Sequence, residues 1–190
     1  MCRSSFTSTS GILARAAQLH RDRIDELSAL LTLEVGKPVT QARGEVELVA
    51  SIYQYYADHA EALLADEPLE SNDTHNFVRH LPLGPVLAVM PWNFPLYLSY
   101  GWKVAPALAA GNSVILKHSS RTPLCGTAFE QAFAEAGAPP GLVQAVTASH
   151  QTTAALVGSL LYFGLSLSLT VVGIGALAGF VVGALFGPFT

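Results

Sequence analysis

The first part of the chain carries apolar residues at helical spacing. Over residues 11–35, leucine, isoleucine and alanine recur every three or four positions with charged residues between them, which predicts an amphipathic helix. Gly36 and Pro38 then predict its end. A second helix is predicted over residues 40–64. The apolar positions that line its buried face are Val46, Val49, Tyr53, Tyr56, Ala60 and Leu63.

A short alternating segment follows these helices. Phe77 and Leu81 fall on one pleat face with Arg79 between them, which predicts a strand over residues 74–81. The Pro-Leu-Gly-Pro sequence at residues 82–85 predicts a turn. The chain is therefore expected to change from helical to extended structure before its central region.

Short apolar runs without alternation mark the central region, and such runs are typical of strands buried on both faces of a sheet. These runs are residues 86–90, 113–116 and 142–146. A helix is predicted between the first two, over residues 94–110. Another is predicted between the last two, because Thr122 and Pro123 form a typical helix start and Gly137 a typical stop.

This alternation of strands and helices predicts a parallel sheet with right-handed crossovers. The predicted fold is α/β, with a partial Rossmann-like sheet behind N-terminal helices and an apolar C-terminal helix. Ligands of such sheets bind beyond the carboxyl ends of the strands. A ligand is therefore expected at the loops formed by residues 91–95 and 117–123.

Charge is distributed unevenly along the chain. All 10 basic and 14 acidic residues lie between Arg3 and Glu135, and the net charge of -4 leaves no basic surface typical of nucleic-acid binding. The two cysteines, Cys2 and Cys125, form no disulfide framework and suit a reducing compartment. Residues 1–10 lack the apolar core of a secretory signal, so a cytoplasmic location is expected.

The end of the chain is apolar and uncharged. Residues 159–186 are long enough to span a bilayer as a helix, and small residues repeat every four positions. These residues are Gly175, Gly179, Gly183 and Gly187. Such a stripe permits close helix packing, which predicts a membrane or a partner helix as a binding partner. The predicted domains are residues 1–157 and 158–190; alternatively, the tail is an out-of-frame or rearranged sequence rather than an evolved anchor.

The motifs at the predicted loops resemble a known family. Residues 90–96 read Met-Pro-Trp-Asn-Phe-Pro-Leu, which is similar to the Pro-Trp-Asn-Phe-Pro signature of aldehyde dehydrogenases. Residues 103–117, 136–141 and 33–38 resemble the same family in the same order. The resemblance covers residues 11–157. Within the family, the Lys117-His118 pair at the end of residues 103–117 and just after it is most similar to the sequence of succinate-semialdehyde dehydrogenases.

The resemblance implies roles for both loops. Asn93 matches the asparagine whose side-chain amide stabilises an oxyanion, although an asparagine in a proline-rich turn is otherwise a structural residue. Lys117 matches a lysine that contacts the adenosine ribose of the cofactor, although by itself it reads as a solvated lysine. Where NAD-preferring members often carry glutamate, this chain has Ser120 and then Arg121, which favours NADP and leaves NAD open. Further cofactor contacts are implied for Met90, Pro91 and Trp92.

Several family motifs are missing from the sequence. It contains no Gly-Ser-Thr stretch after Val157, no Glu-Leu-Gly-Gly general-base motif and no Gly-Gln-x-Cys nucleophile motif. Cys125 is predicted to be a buried inert thiol and His118 a loop histidine. We therefore expect a truncated, NAD(P)-dependent aldehyde dehydrogenase with weak cofactor binding, no metal site and no turnover by itself. The alternative is a non-catalytic membrane-associated or interaction protein.

Overall fold

The computed structural model describes residues 3–70 and 76–159. These residues fall into two units that meet in sequence between Thr147 and Ala148. In the second unit, residues 150–159 are helical, and the Ser149 hydroxyl accepts a hydrogen bond from the Thr152 amide at 3.1 Å.

The sequence predicts one continuous helix over residues 11–35, and this prediction is wrong because the helix is broken. The segment forms α1 (Arg3–Asp22) and α2 (Ile24–Val35), with a break at Arg23, where φ is -106° and ψ is 22°. Both helices pack against α3 (Val39–Leu63), and the break lets each of them turn its own apolar stripe toward α3. Tertiary packing here overrides a sequence that has neither glycine nor proline at the break.

The second helix agrees with its prediction within one residue at each end. Gly36 ends α2 in the left-handed conformation, with φ 71°, and its amide donates to the Thr32 carbonyl at 3.0 Å. Four of the six predicted face residues, Val46, Val49, Tyr53 and Ala60, are buried. Tyr56 is half-buried, and the prediction is wrong for Leu63, which lies in the last turn and is 51% exposed.

The predicted strand over residues 74–81 is mostly wrong. Residues 74 and 75 lie outside the described residues, and the strand β2 comprises Phe77–Val78, paired antiparallel with β1 (Glu67–Pro68). Leu81 lies beyond the strand and is 66% exposed. The alternating pattern has no core to cover it within the described chain, so it specifies a short exposed hairpin.

The predicted parallel sheet is confirmed. Within the described residues its strand order is β3 (Pro85–Val89), β4 (Ser113–Lys117) and β5 (Val143–Val146), all parallel. The expectation of strands buried on both faces is wrong at the edges. Val89 on β3 is 49% exposed, and Gln144 on β5 is also exposed, whereas Leu116 on central β4 is fully buried.

The connection from β3 to β4 is a π-helix, Tyr97–Val104, continued by α4 (Ala105–Ala109). The predicted helix over residues 94–110 therefore begins three residues late, and its first turns have the wider π geometry. Gly101 lies in this segment, where an added Cβ would be 2.8 Å from Ile52 Cδ1 on α3. A glycine at this position thus permits a close approach of the π-helix to α3.

The connection from β4 to β5 is α5 (Pro123–Glu135), as predicted from its start and stop residues. Aromatic rings from three elements meet between this helix and the N-terminal layer. Tyr100 of the π-helix stacks on Phe129 of α5 with centroids 4.1 Å apart, and Phe133 meets Tyr53 of α3 at 5.5 Å. This core fixes the crossover helices against the N-terminal layer.

All of the predicted apolar tail from residue 160 onward, with Gly175, Gly179, Gly183 and Gly187, lies outside the described residues. Among the residues that the structure does describe, no helix combines the length and apolar character needed to cross a membrane.

Candidate functional site

The parallel sheet brings the two predicted loops side by side. Val89 at the end of β3 is in register with Lys117 at the end of β4. One residue further, the Met90 amide donates to the Lys117 carbonyl at 3.1 Å. The loop that follows β3 and the loop that follows β4 therefore start from adjacent points at one edge of the sheet.

The first loop presents its side chains to solvent. Pro91 and Asn93 are exposed, and Trp92 and Phe94 are 44% and 45% exposed. No hydrogen-bond partner of the Asn93 side chain is found in the described parts of the chain. Its amide is thus available to an external oxygen.

A buried carboxylate on α3 holds the far end of this loop. Glu45 Oε1 accepts hydrogen bonds from the backbone amides of Leu96 and Tyr97, each at 3.0 Å. The other oxygen of Glu45 pairs with Lys37, and these two side chains are only 4% and 12% exposed. Lys37 Nζ also lies 4.0 Å from the centroid of the Phe94 ring. Glu45 therefore caps the π-helix and, through Lys37, holds the residue next to Asn93.

The second loop carries the cationic residues. Lys117 is 6% exposed, and within residues 3–70 and 76–159 its ammonium has no hydrogen-bond or ion-pair partner. Ser120 and Arg121 are exposed in a turn, and the Arg121 amide donates to Ser119 Oγ at 3.2 Å. The Arg121 guanidinium lies 5.3 Å from the centroid of the Trp92 ring, so a side chain of each loop contacts the other.

His118 joins the two loops from beneath. It is 4% exposed; its Nε2 lies 3.3 Å from the Pro95 carbonyl, and its Nδ1 lies 2.8 Å from Thr122 Oγ1. Because a carbonyl only accepts, Nε2 carries the proton and Nδ1 accepts from the hydroxyl. Burial lowers the pKa of His118, so the ring is neutral at pH 7. The histidine that the sequence predicts in a loop is therefore buried, and its two ring nitrogens connect the two loops.

The α5 helix begins on a second carboxylate. Glu34 accepts hydrogen bonds from the amides of Leu124 at 2.8 Å and Cys125 at 2.9 Å, as a side-chain cap. Cys125 is fully buried, as predicted, and burial followed by the neighbouring Glu34 raises the pKa of its thiol. A protonated, inaccessible thiol is a poor nucleophile.

Sequence reasoning missed the residues that position these loops. The sequence indicates residues 33–38 as a family-like stretch and a helix exit without giving Glu34 or Lys37 a contact, yet Glu34 caps α5 and Lys37 contacts both Glu45 and Phe94. The sequence did contain a signal for these contacts, because a glutamate, a glycine and a lysine occur together at the end of one helix. A glycine alone is enough to end a helix, so the two charged residues beside it indicate a further role.

A cleft of about 440 Å³ opens beside the first loop, between α3 and the start of the π-helix. Its walls include the apolar side chains of Leu48, Phe94 and Tyr97 and the polar side chains of Lys37 and Gln41. The cleft therefore adjoins the residue that follows Asn93.

A sequence profile described as the aldehyde dehydrogenase family matches residues 2–160. The chain belongs to the aldehyde dehydrogenase family. This aldehyde dehydrogenase chain is 46% identical over 132 residues to a probable NADP⁺-dependent succinate-semialdehyde dehydrogenase from Synechocystis sp., covering 70% of this chain and 29% of that protein. It is 43% identical over 135 residues to the NADP⁺-dependent succinate-semialdehyde dehydrogenase from Deinococcus radiodurans, covering 71% and 28%.

Solved structures agree with these sequence relatives. A crystal structure of succinic semialdehyde dehydrogenase from Streptococcus pyogenes with NADP⁺ matches this aldehyde dehydrogenase chain with a TM-score of 0.77 at 34% identity. That match covers 80% of this chain and 33% of the solved chain. The aldehyde dehydrogenase chain thus spans about a third or less of the length of these relatives.

Proposed function

We propose that this chain forms the loops that bind the cofactor and stabilise the oxyanion in an NADP-dependent aldehyde dehydrogenase that oxidises succinate semialdehyde. The observation that carries the proposal is the meeting of the two loops at one sheet edge, through the Met90 amide and the Lys117 carbonyl. The names of the sequence relatives supply the substrate and the cofactor.

Asn93 is the proposed oxyanion stabiliser. An amide donates a hydrogen bond without titrating, and its contribution is largest when the protein holds it in place before the reaction. The Glu45 cap on Leu96 and Tyr97 supplies that rigidity from the far end of the loop. The apolar wall of the adjoining cleft, formed by Leu48 and others, is the proposed place for the aliphatic chain of the aldehyde.

NADP is the proposed cofactor, and its chemistry is to accept a hydride from the substrate. Lys117 fits a ribose, because the side chain is largely buried while its ammonium lacks a partner in the described chain, which leaves that ammonium free to bind an external oxygen ligand. Arg121 fits the 2′-phosphate, because a guanidinium pairs with phosphate oxygens, and Ser120 adds no competing negative charge. Met90, Pro91 and Trp92 are proposed to line the same face, next to Asn93.

The 190 residues are proposed to bind but not to turn over substrate by themselves. The family reaction needs a thiolate nucleophile. Cys125 is buried with a raised pKa, and the sequence contains neither the Gly-Gln-x-Cys nor the Glu-Leu-Gly-Gly motif. Binding is therefore the property to measure.

The test is a calorimetric titration of the full chain with NADP and with NAD. Weak binding that favours NADP is expected; Lys117→Ala should abolish it, and Arg121→Ala should reduce the NADP affinity to that of NAD. Lys103→Ala is the control, because Lys103 is an exposed lysine on the π-helix. Equal affinities for the parent, Lys117→Ala and Lys103→Ala proteins would contradict the proposed site.

A further inference from the structure

Both ring nitrogens of His118 bind groups at the ends of the two loops. The Nε2 donor contacts the carbonyl of Pro95, which closes the first loop, and the Nδ1 acceptor contacts the hydroxyl of Thr122, which closes the second. Since the Pro95 carbonyl belongs to the loop of Asn93, this ring is a direct connection between the proposed oxyanion group and the cationic loop.

The surroundings of His118 are shaped to hold the ring. A Cβ added at Gly126, in the first turns of α5, would lie 3.2 Å from His118 Cβ, so a larger residue there would require His118 to shift by a few tenths of an ångström. On another side the ring meets Tyr100 edge to face, with centroids 6.2 Å apart. These contacts leave the imidazole little freedom to rotate away from Pro95.

The charged residues near His118 do not change the protonation state that its two hydrogen bonds require. Lys117 disfavours a protonated ring and Glu34 favours one, while burial is the largest effect and keeps the ring neutral. A neutral imidazole has one donor and one acceptor, which is the combination that the Pro95 carbonyl and the Thr122 hydroxyl require.

We propose that His118 is a positioning residue that holds the first loop against the second in the geometry needed to bind NADP. Its effect on binding is exerted through the hydrogen bond to the Pro95 carbonyl, and the hydrogen bond from Thr122 contributes less. The inference rests on the proposed function of the loops, and it adds a residue whose loss weakens binding indirectly.

Two substitutions separate the two links. In His118→Gln the longer side-chain amide can still donate to Pro95 from the position of Nε2, whereas in His118→Asn the shorter one can reach only the Thr122 side. Titration of the full chain should give an NADP dissociation constant within about threefold of the parent for His118→Gln and about tenfold higher for His118→Asn. His20→Gln is the matched control, because His20 is also buried but hydrogen-bonds within its own helix, to Ala16.

Hydrogen exchange provides a second readout that needs no cofactor. Amides in residues 90–98 should exchange faster in His118→Asn than in His118→Gln, while the His20→Gln protein should exchange there like the parent. Equal exchange in the two His118 variants, or equal loss of NADP affinity in both, would overturn the role of the Pro95 link. If the parent binds no NADP, the proposed function is wrong, and the exchange difference alone decides whether His118 couples the loops.

Discussion

The ammonium of Lys37 lies 4.0 Å from the centre of the Phe94 ring, although the two residues belong to distant parts of the sequence. The same ammonium pairs with Glu45, so the ring, the cation and the carboxylate form a continuous contact from the α2–α3 turn to the residue beside Asn93. The N-terminal helices therefore determine where the first loop lies.

Replacement of Glu45 tests this arrangement. Glu45→Ala should lower the free energy of unfolding by about 3–5 kcal/mol, because it leaves the largely buried Lys37 ammonium and two backbone amides without their acceptor. Urea unfolding measures the change. The control is Glu47→Ala, because the Glu47 side chain is 52% exposed and its loss should change stability by less than about 1 kcal/mol. Equal losses in the two proteins would contradict the capping role of Glu45.

The acid stability of the fold should depend on His20. Its pKa is lowered from 6.5 to about 4, chiefly by burial, so between these values the unfolded chain binds a proton that the folded chain does not. The stability that depends on His20 is therefore complete above pH 6.5 and falls by about 1.4 kcal/mol for each pH unit toward pH 4, and His118, whose pKa burial also lowers, adds to this fall. His20→Gln should make the urea-unfolding free energy less dependent on pH in this range.

His59 offers a matched control for that measurement. Its Nδ1 makes the same contact to the carbonyl four residues earlier as His20 does, at 2.8 Å in both, but His59 is exposed. His59→Gln therefore controls for the replacement of a histidine that has this contact but is not buried. If His59→Gln and His20→Gln flatten the profile equally, burial of His20 is not the cause.

Cys125 should affect stability on the alkaline side. Burial raises the pKa of its thiol in the folded chain, so the unfolded chain loses this proton first, and stability declines as the pH rises above about 8.5. The expected slope is about 1.4 kcal/mol per pH unit, and Cys125→Ala should remove it. Unfolding in urea at pH 7 and at about pH 9.5 measures the change, and the difference between the parent and Cys125→Ala proteins isolates the thiol from Tyr53 and Tyr100, whose pKa values burial also raises. A parent protein equally stable at both pH values would show that the thiol ionises normally.

The close approach of Gly101 to Ile52 should make the stability effects of substitutions at these two positions non-additive. Gly101→Ala brings a methyl group toward Ile52 Cδ1 and should cost about 1 kcal/mol, whereas Ile52→Val removes that carbon. The double variant should therefore be more stable than the sum of the two single changes indicates. Chemical unfolding of all four proteins completes the cycle, and additivity within about 0.3 kcal/mol would exclude the contact.

The sequence was sufficient to place Asn93 and Lys117 at one edge of the sheet. Continuous apolar runs specify parallel strands, and the carboxyl ends of adjacent parallel strands must lie together. The Met90–Lys117 hydrogen bond is the direct result. By contrast, Glu34 and Glu45 resemble any charged residue on a helix, and nothing local shows that their partners lie 90 and 51 residues later.

Two features of the backbone could not be predicted from the local sequence pattern either. The break at Arg23 occurs without glycine or proline, and the residues of the π-helix, from Tyr97 onward, would read equally well as an α-helix. Burial of Val89 was overestimated because an apolar run predicts a strand but not how many neighbours that strand has. Each difference depends on packing between elements that are distant in sequence.

The positions of Glu34 and Glu45 also set an order of events during synthesis. The ribosome makes Glu34 91 residues before Cys125 and Glu45 51 residues before Leu96. At about 5–20 residues per second, Glu34 waits roughly 5–18 s before the amide that it caps is made. Water must solvate the Glu34 carboxylate through that interval. A nascent chain that already has its three N-terminal helices therefore still lacks the contacts that fix both loops.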